Sequence, residues 1–187
     1  MSGAPALRIA GALGAAGALV GAPIPTPIGV TPGYKLPAHG PATASGRSVG
    51  ALECSTAAPL RFRAHLELFA RKLVLLVPAG IGIAPPLSRE GAYVRGGRCS
   101  YPLRTREPTG VVEVGRAGLT VGDLFRVWGQ PLAPTRLAGF HGRVAAFVNG
   151  RRVAGDPRAI AFHEHDEIVL EVGGFVPPHS SYLFPAR

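Results

Sequence analysis

The sequence is poor in most of what announces a function. It holds one Trp, one Met, two Cys, and only two lysines (Lys35 and Lys72) among its 20 cationic residues. No apolar run reaches the ~20 residues that a membrane-spanning helix needs, and no fixed-period repeat is visible. A polytopic helical membrane protein and a solenoid are therefore excluded. GxSxG, HExxH, a P-loop and a GxGxxG between strand and helix are all missing. Nothing in the spacing of Ser, His and Asp couples a nucleophile to a base, so no enzyme class is indicated. At 187 residues the chain has room for one modest domain and a loose appendage.

What is abundant is Gly (26) and Pro (19), a composition that disfavours long helices and favours short strands joined by turns. The formal charge is +9. The excess is local: residues 61–107 carry nine cations against three acids, whereas residues 108–187 carry eight against seven. A concentrated positive surface attracts anions such as phosphate or an acidic polymer. A nucleic-acid partner is disfavoured, because the basic stretch lacks interleaved aromatics and no helix reads as basic.

Ile9 to Ala22 form an Ala/Gly-rich apolar run preceded by Arg8, followed by Pro23, with small residues around Val20-Gly21-Ala22. As a helix it would span about 21 Å at ~1.5 Å per residue, short of the ~30 Å hydrocarbon core. Residues 1–22 thus read as an export signal or signal-anchor, the only part expected to meet a membrane. Residues 23–53 are mostly Pro, Gly, Ala, Thr and Ser, and read as a disordered tether. Residues 54–187 are left as a single β-rich globular domain. For an exported chain, destined for the cell envelope or the medium, Cys54 and Cys99 read as a disulfide worth roughly 3 to 4 kcal/mol.

Within that domain, Arg61 to Phe69 alternates, with Phe62, Ala64, Leu66 and Leu68 on one side and Arg61, Arg63, His65 and Glu67 on the other. Leu73–Val77 reads as the second strand of that hairpin. Tyr101–Arg106 and Val111–Val114 flank Pro108-Thr109-Gly110 as another. Thr120 is a helix N-cap with Asp123 three residues on. Val121, Leu124, Phe125 and Trp128 follow at helical spacing, and Gly129 closes the helix. Asn149-Gly150 joins a third hairpin, Arg143–Val148 with Arg151–Ala154. Ile168–Val172 is the last strand. The expected class is α+β, mostly β, with one short helix packed on the sheet in a β-grasp-like manner; a β-sandwich is the alternative.

The strings HLELF at 65–69, VPAGIGI at 77–83, PTGVVEV at 108–114, LTVGDLFRVWGQPL at 119–132, FVNG at 147–150, GDPRAI at 155–160 and HDEIVLEVG at 165–173 carry a resemblance. Together they resemble an uncharacterised family of exported bacterial proteins, over about residues 54–185. That family tends to have HxHxHL in the first strand and LHTHDxSGVIHVE in the second hairpin. Here Arg61 and Arg63 precede His65, Arg104 and Arg106 replace His, Glu107 replaces Asp, and Glu113 replaces His. If the resemblance implies a metal held by those histidines, guanidinium groups cannot replace them, having no lone pair to give.

Two candidate sites follow. By the period-two rule Arg61 and Arg63 share a face of one strand, and Arg104 and Arg106 a face of another. If those strands are neighbours, the four converge on an anion-binding patch, with an acidic cell-wall polymer or another anion as partner and Glu67, Glu107 or Glu113 able to pair. The alternative is a copper or zinc site built from His65, His163 and His165, with His179 or Glu167 as further ligands. The first reading needs no cofactor.

Overall fold

A computed structural model describes residues 36–184 of the chain. The expected export signal, and the tether as far as residue 35, lie outside the described residues.

The core is a seven-stranded sheet built around β1 (Phe62–Ala70), the alternating strand. One edge of β1 is shared. Its first half pairs antiparallel with β6 (Val111–Val114), and its end pairs with the two-residue β2 (Leu73–Val74) across a tight turn at Arg71-Lys72. β6 continues the sheet to β5 (Leu103–Thr105). Between β2 and β5 a small hairpin, β3 (Ser88–Glu90) with β4 (Tyr93–Gly96), stands apart as its own two-stranded sheet.

Helix α2 (Val121–Trp128) follows β6. The Thr120 hydroxyl accepts from the Asp123 N–H, the Asp123 carboxylate accepts from the Thr120 N–H, and Gly129 ends the helix at φ 75°. Capping at both ends lets so short a helix stop cleanly. Next come three two-residue strands, β7 (Leu132–Ala133), β8 (Arg136–Leu137) and β9 (Phe140–His141), in a sheet of their own. The hairpin of β10 (Val144–Val148) and β11 (Arg151–Val153) turns on Asn149 (φ 51°) and Gly150 (φ 75°), the positive φ pair that such a turn demands.

The last strand, β12 (Glu167–Val172), then inserts between β10 and β1, antiparallel to the first and parallel to the second. The order is β11-β10-β12-β1-β6-β5, with helix α2 crossing between β6 and β10. First and last strands paired in parallel at the centre of the sheet, with a single crossing helix, is a β-grasp arrangement. The expected mostly-β α+β class holds, and the sandwich alternative does not.

Alternation sorts the side chains. Phe62, Ala64, Leu66 and Leu68 of β1 join Ile168, Leu170 and Val172 of β12 under Leu124, Phe125 and Trp128 of the helix. On the opposite face lie Phe69, Phe147 and Val169, packed against Val176, and beside them a row of buried charged groups.

Residues 36–53 depart from the expected tether. They include a five-residue helix α1 (Pro41–Ser45), and Leu52 and Thr43 are buried. Trp128 Nε1 donates to the Pro37 carbonyl at 2.7 Å, and the Thr43 hydroxyl donates to the Val127 carbonyl. The Trp128 indole and the Val127 carbonyl of α2's last turn thus give the segment partners that its own composition does not supply. The Cys54–Cys99 disulfide is formed, with Cα atoms 5.4 Å apart, and joins this segment to the excursion between β2 and β5.

Candidate functional site

The site lies on the sheet face opposite α2, where β1 and β12 run side by side. His65 faces Glu167 in register across the parallel pair, and Glu67 is two residues further along β1 on the same face. These three form a group whose ligand atoms all lie within 4.8 Å of one another. His65 and Glu167 are buried and Glu67 is half-buried.

Local structure fixes each member. The His65 N–H donates to the Asp166 carbonyl at 2.8 Å. Asn149, in the β10–β11 turn, accepts from the Glu167 N–H through Oδ1 at 2.8 Å and donates its own N–H to the Glu167 carbonyl. The Asn-Gly turn therefore sets where β12 begins. Gly110 sits at φ 85° against His65. A Cβ there would lie 2.5 Å from the Leu66 carbonyl oxygen and 2.9 Å from His65 Nε2, so only glycine leaves room for the imidazole.

The hydrogen bonds define the imidazole. Nε2 lies 2.6 Å from the Thr109 carbonyl oxygen, which can only accept, so Nε2 carries a proton. Nδ1 lies 2.7 Å from Glu167 Oε2, and one proton is held between them. Burial pushes the Glu167 carboxyl above its ordinary value; the hydrogen bond from His65 opposes this and the nearby charge of Glu67 adds to it. The other oxygen, Glu167 Oε1, is buried and has no hydrogen-bond partner among the described residues.

Above the group opens a cavity of about 770 Å³. It forms where β6 and β2 leave β1 in different directions, so that Leu66 to Leu68, paired with β12 on one edge, have no strand on the other. Its floor carries His65, Glu67, Glu167 and His179, and its walls are mostly apolar, including Val74, Leu76 and Tyr182. The residues after β12 cross this face: Tyr182 stacks on His65 with centroids 3.8 Å apart and planes 14° from parallel, and His179 Nδ1 donates to Glu67 Oε2 at 2.8 Å.

The arginines form a neighbouring cluster. Three of the four expected residues converge, on a single carboxylate. Arg104 Nε donates to Glu113 Oε2 at 2.6 Å and Arg106 Nε to the same atom at 3.0 Å, while Arg63 NH2 lies 3.9 Å from Oε1. Arg104 is buried and also donates to the Ala58 carbonyl. Arg106 donates to the Val94 carbonyl and rests its guanidinium 5.9 Å from the centroid of the Tyr93 ring. Arg61 stands exposed one residue before β1, with its N–H on the Val114 carbonyl.

Of the expected histidine trio, only His65 belongs to the group of ligands. His163 is exposed at 75% and lies 3.1 Å from Asp166 Oδ2, while His165 sits at φ 64° in a turn and packs against Phe184. The i, i+2 rule that would put both on one face applies to strands, and this is a turn. The sequence pattern offered Glu67 as an arginine partner and Glu167 as a further ligand to the histidines. The signal that links them is the alternation in HLE at 65–67 and in EIVLEV at 167–172, which puts acids on the face opposite the core.

No protein-family model, curated protein or solved structure matches the chain.

Proposed function

We propose that this protein is an exported binding module of the cell envelope that holds a divalent transition metal, zinc or copper, between His65, Glu67 and Glu167. The observation that carries it is the buried, unpartnered Oε1 of Glu167 beside the Nδ1 of His65. An orphaned buried acceptor costs about 1 to 3 kcal/mol, and a cation at that point removes the cost. The Nε2–H of His65 donates to a carbonyl, the second bond that orients ligating imidazoles, and it turns the Nδ1 lone pair toward the two carboxylates. Imidazole nitrogen with carboxylate oxygen suits Zn²⁺ and Cu²⁺. Bonds of ~2.0–2.2 Å place tetrahedral ligands about 3.3 Å from one another, a spacing between the 2.7 Å that separates His65 Nδ1 from Glu167 Oε2 and the 4.8 Å that bounds the whole group. The disulfide suits an oxidising compartment, and the apolar run at residues 9–22 supplies a route there.

Isothermal titration with Zn²⁺ and with Cu²⁺ at micromolar protein tests the proposal. One ion per chain is expected for the wild type, and none for Glu67→Gln/Glu167→Gln. Absence of heat with both metals, or equal uptake by the double variant, overturns it.

A second reading rests on the arginine cluster. Three guanidinium groups share one carboxylate, which leaves a formal surplus of two charges, and Arg63 and Arg106 are 21% and 20% exposed. That surplus supports weak binding of an acidic wall polymer or another anion. Arg63→Ala/Arg106→Ala should elute earlier from heparin or phosphocellulose, and equal retention ends the idea.

A further inference from the structure

We infer that the C-terminal segment, residues 173–184, is the closing element of the His65 site, with His179 as a positioning residue that holds Glu67 for the metal; this rests on the metal reading above. The segment contains no strand or helix and is fastened across the open sheet face by side chains. The Val176 N–H donates to Glu171 Oε1 at 3.2 Å, His179 donates to Glu67 at 2.8 Å, and the Tyr182 ring covers the imidazole of His65. Tyr182 is backed in turn by Phe184, whose ring is edge-on at 5.0 Å.

Two of these three fastenings fall on ligand residues. Glu67 is the most exposed of the three and the one whose carboxylate has most rotamers to lose. The His179 N–H restricts it, in the way that hydrogen-bonded outer groups orient ligating carboxylates. Tyr182 shields the face of His65 from water. Metal occupancy and docking of the segment therefore share one free energy, and each strengthens the other by the same factor.

The test uses the full chain and two readouts: Zn²⁺ affinity by competition with a chromophoric chelator, and chymotrypsin cleavage after Tyr182 with and without Zn²⁺. His179→Ala should bind Zn²⁺ about 10–100-fold more weakly, the usual cost of losing such an outer partner. His179→Asn places an amide nitrogen where Nδ1 was, and should recover most of that loss. Zn²⁺ should slow cleavage in the wild type and in His179→Asn. If His179→Ala binds Zn²⁺ as tightly as the wild type, or Zn²⁺ binds without slowing cleavage, the closing role is overturned while the metal site stands. If His179→Asn stays as weak as His179→Ala, His179 is itself a ligand and the positioning role is wrong. If the wild type binds no Zn²⁺ or Cu²⁺, the site and its closing element fall together.

Discussion

Nδ1 of His65 lies 2.7 Å from Oε2 of Glu167, although 102 residues separate them in the chain. Both side chains are buried, so neither can exchange its partner for water without opening the sheet face. The pair is thus a structural contact as well as part of the proposed site, and the two roles separate by mutation.

Removing one partner should cost more than replacing both. Glu167→Ala leaves the His65 Nδ1 buried without its partner and should lower stability by about 3 kcal/mol. His65→Phe/Glu167→Leu removes both polar groups and keeps an aromatic ring against Tyr182, so it should lie within about 1 kcal/mol of the wild type. Urea midpoints of the three proteins check this, and a double variant weaker than Glu167→Ala contradicts it.

Glu113 is the anion on which three cations depend. Glu113→Ala should be the most damaging change in that cluster, at about 3 to 5 kcal/mol, because it strands the buried Arg104. Arg63→Ala, removing a contact of 3.9 Å at a partly exposed site, should cost under about 1 kcal/mol. Thermal unfolding of the two variants should preserve that order.

Glu171 supplies a pH dependence. Burial raises its carboxyl above the ordinary value, with the Val176 N–H opposing. The folded state then binds the proton more tightly than the unfolded chain. The stability this gives is complete below the ordinary carboxylate range and is lost as pH rises through the raised folded value. Glu171→Gln keeps an oxygen for the Val176 N–H and removes the penalty on ionisation. It should be more stable than the wild type at pH 7 and equal to it near pH 4. Chemical denaturation at the two pH values measures both.

The disulfide closes a loop of 45 residues between the segment packed on α2 and the excursion that precedes β5. Cys54→Ser/Cys99→Ser should lose about 4 kcal/mol on the chain-entropy estimate. Reductant should lower the Tm of the wild type and leave that of the variant unchanged.

Short-range chemistry was legible in the sequence. Thr120 with Asp123 and Gly129 marked the helix ends, Asn149-Gly150 marked the β10–β11 hairpin, and the alternation through Arg61–Phe69 marked β1. What escaped has physical reasons. The two-residue strands β7 to β9 are too short to show a period, and β3–β4 lies in a Pro/Gly-rich stretch that reads as loop. Residues 36–53 gain their order from α2, which local composition does not reveal. The site itself depended on a parallel pairing, and no local pattern states that Glu167 will stand beside His65. Alternation put Arg63 on one strand face and Arg104 and Arg106 on another, with convergence expected if the two strands were neighbours; β6 instead lies between β1 and β5, and the meeting of the three on Glu113 required the register of β6 against both.

Placing the earliest and latest strands side by side at the middle of the sheet also sets the order of events at birth. During synthesis the central ladder has no second half until β12 has emerged, and so distant a pairing slows closure. A nascent molecule of this design stays open until β12 arrives; the same arrival brings Glu167 to His65 and completes the pocket.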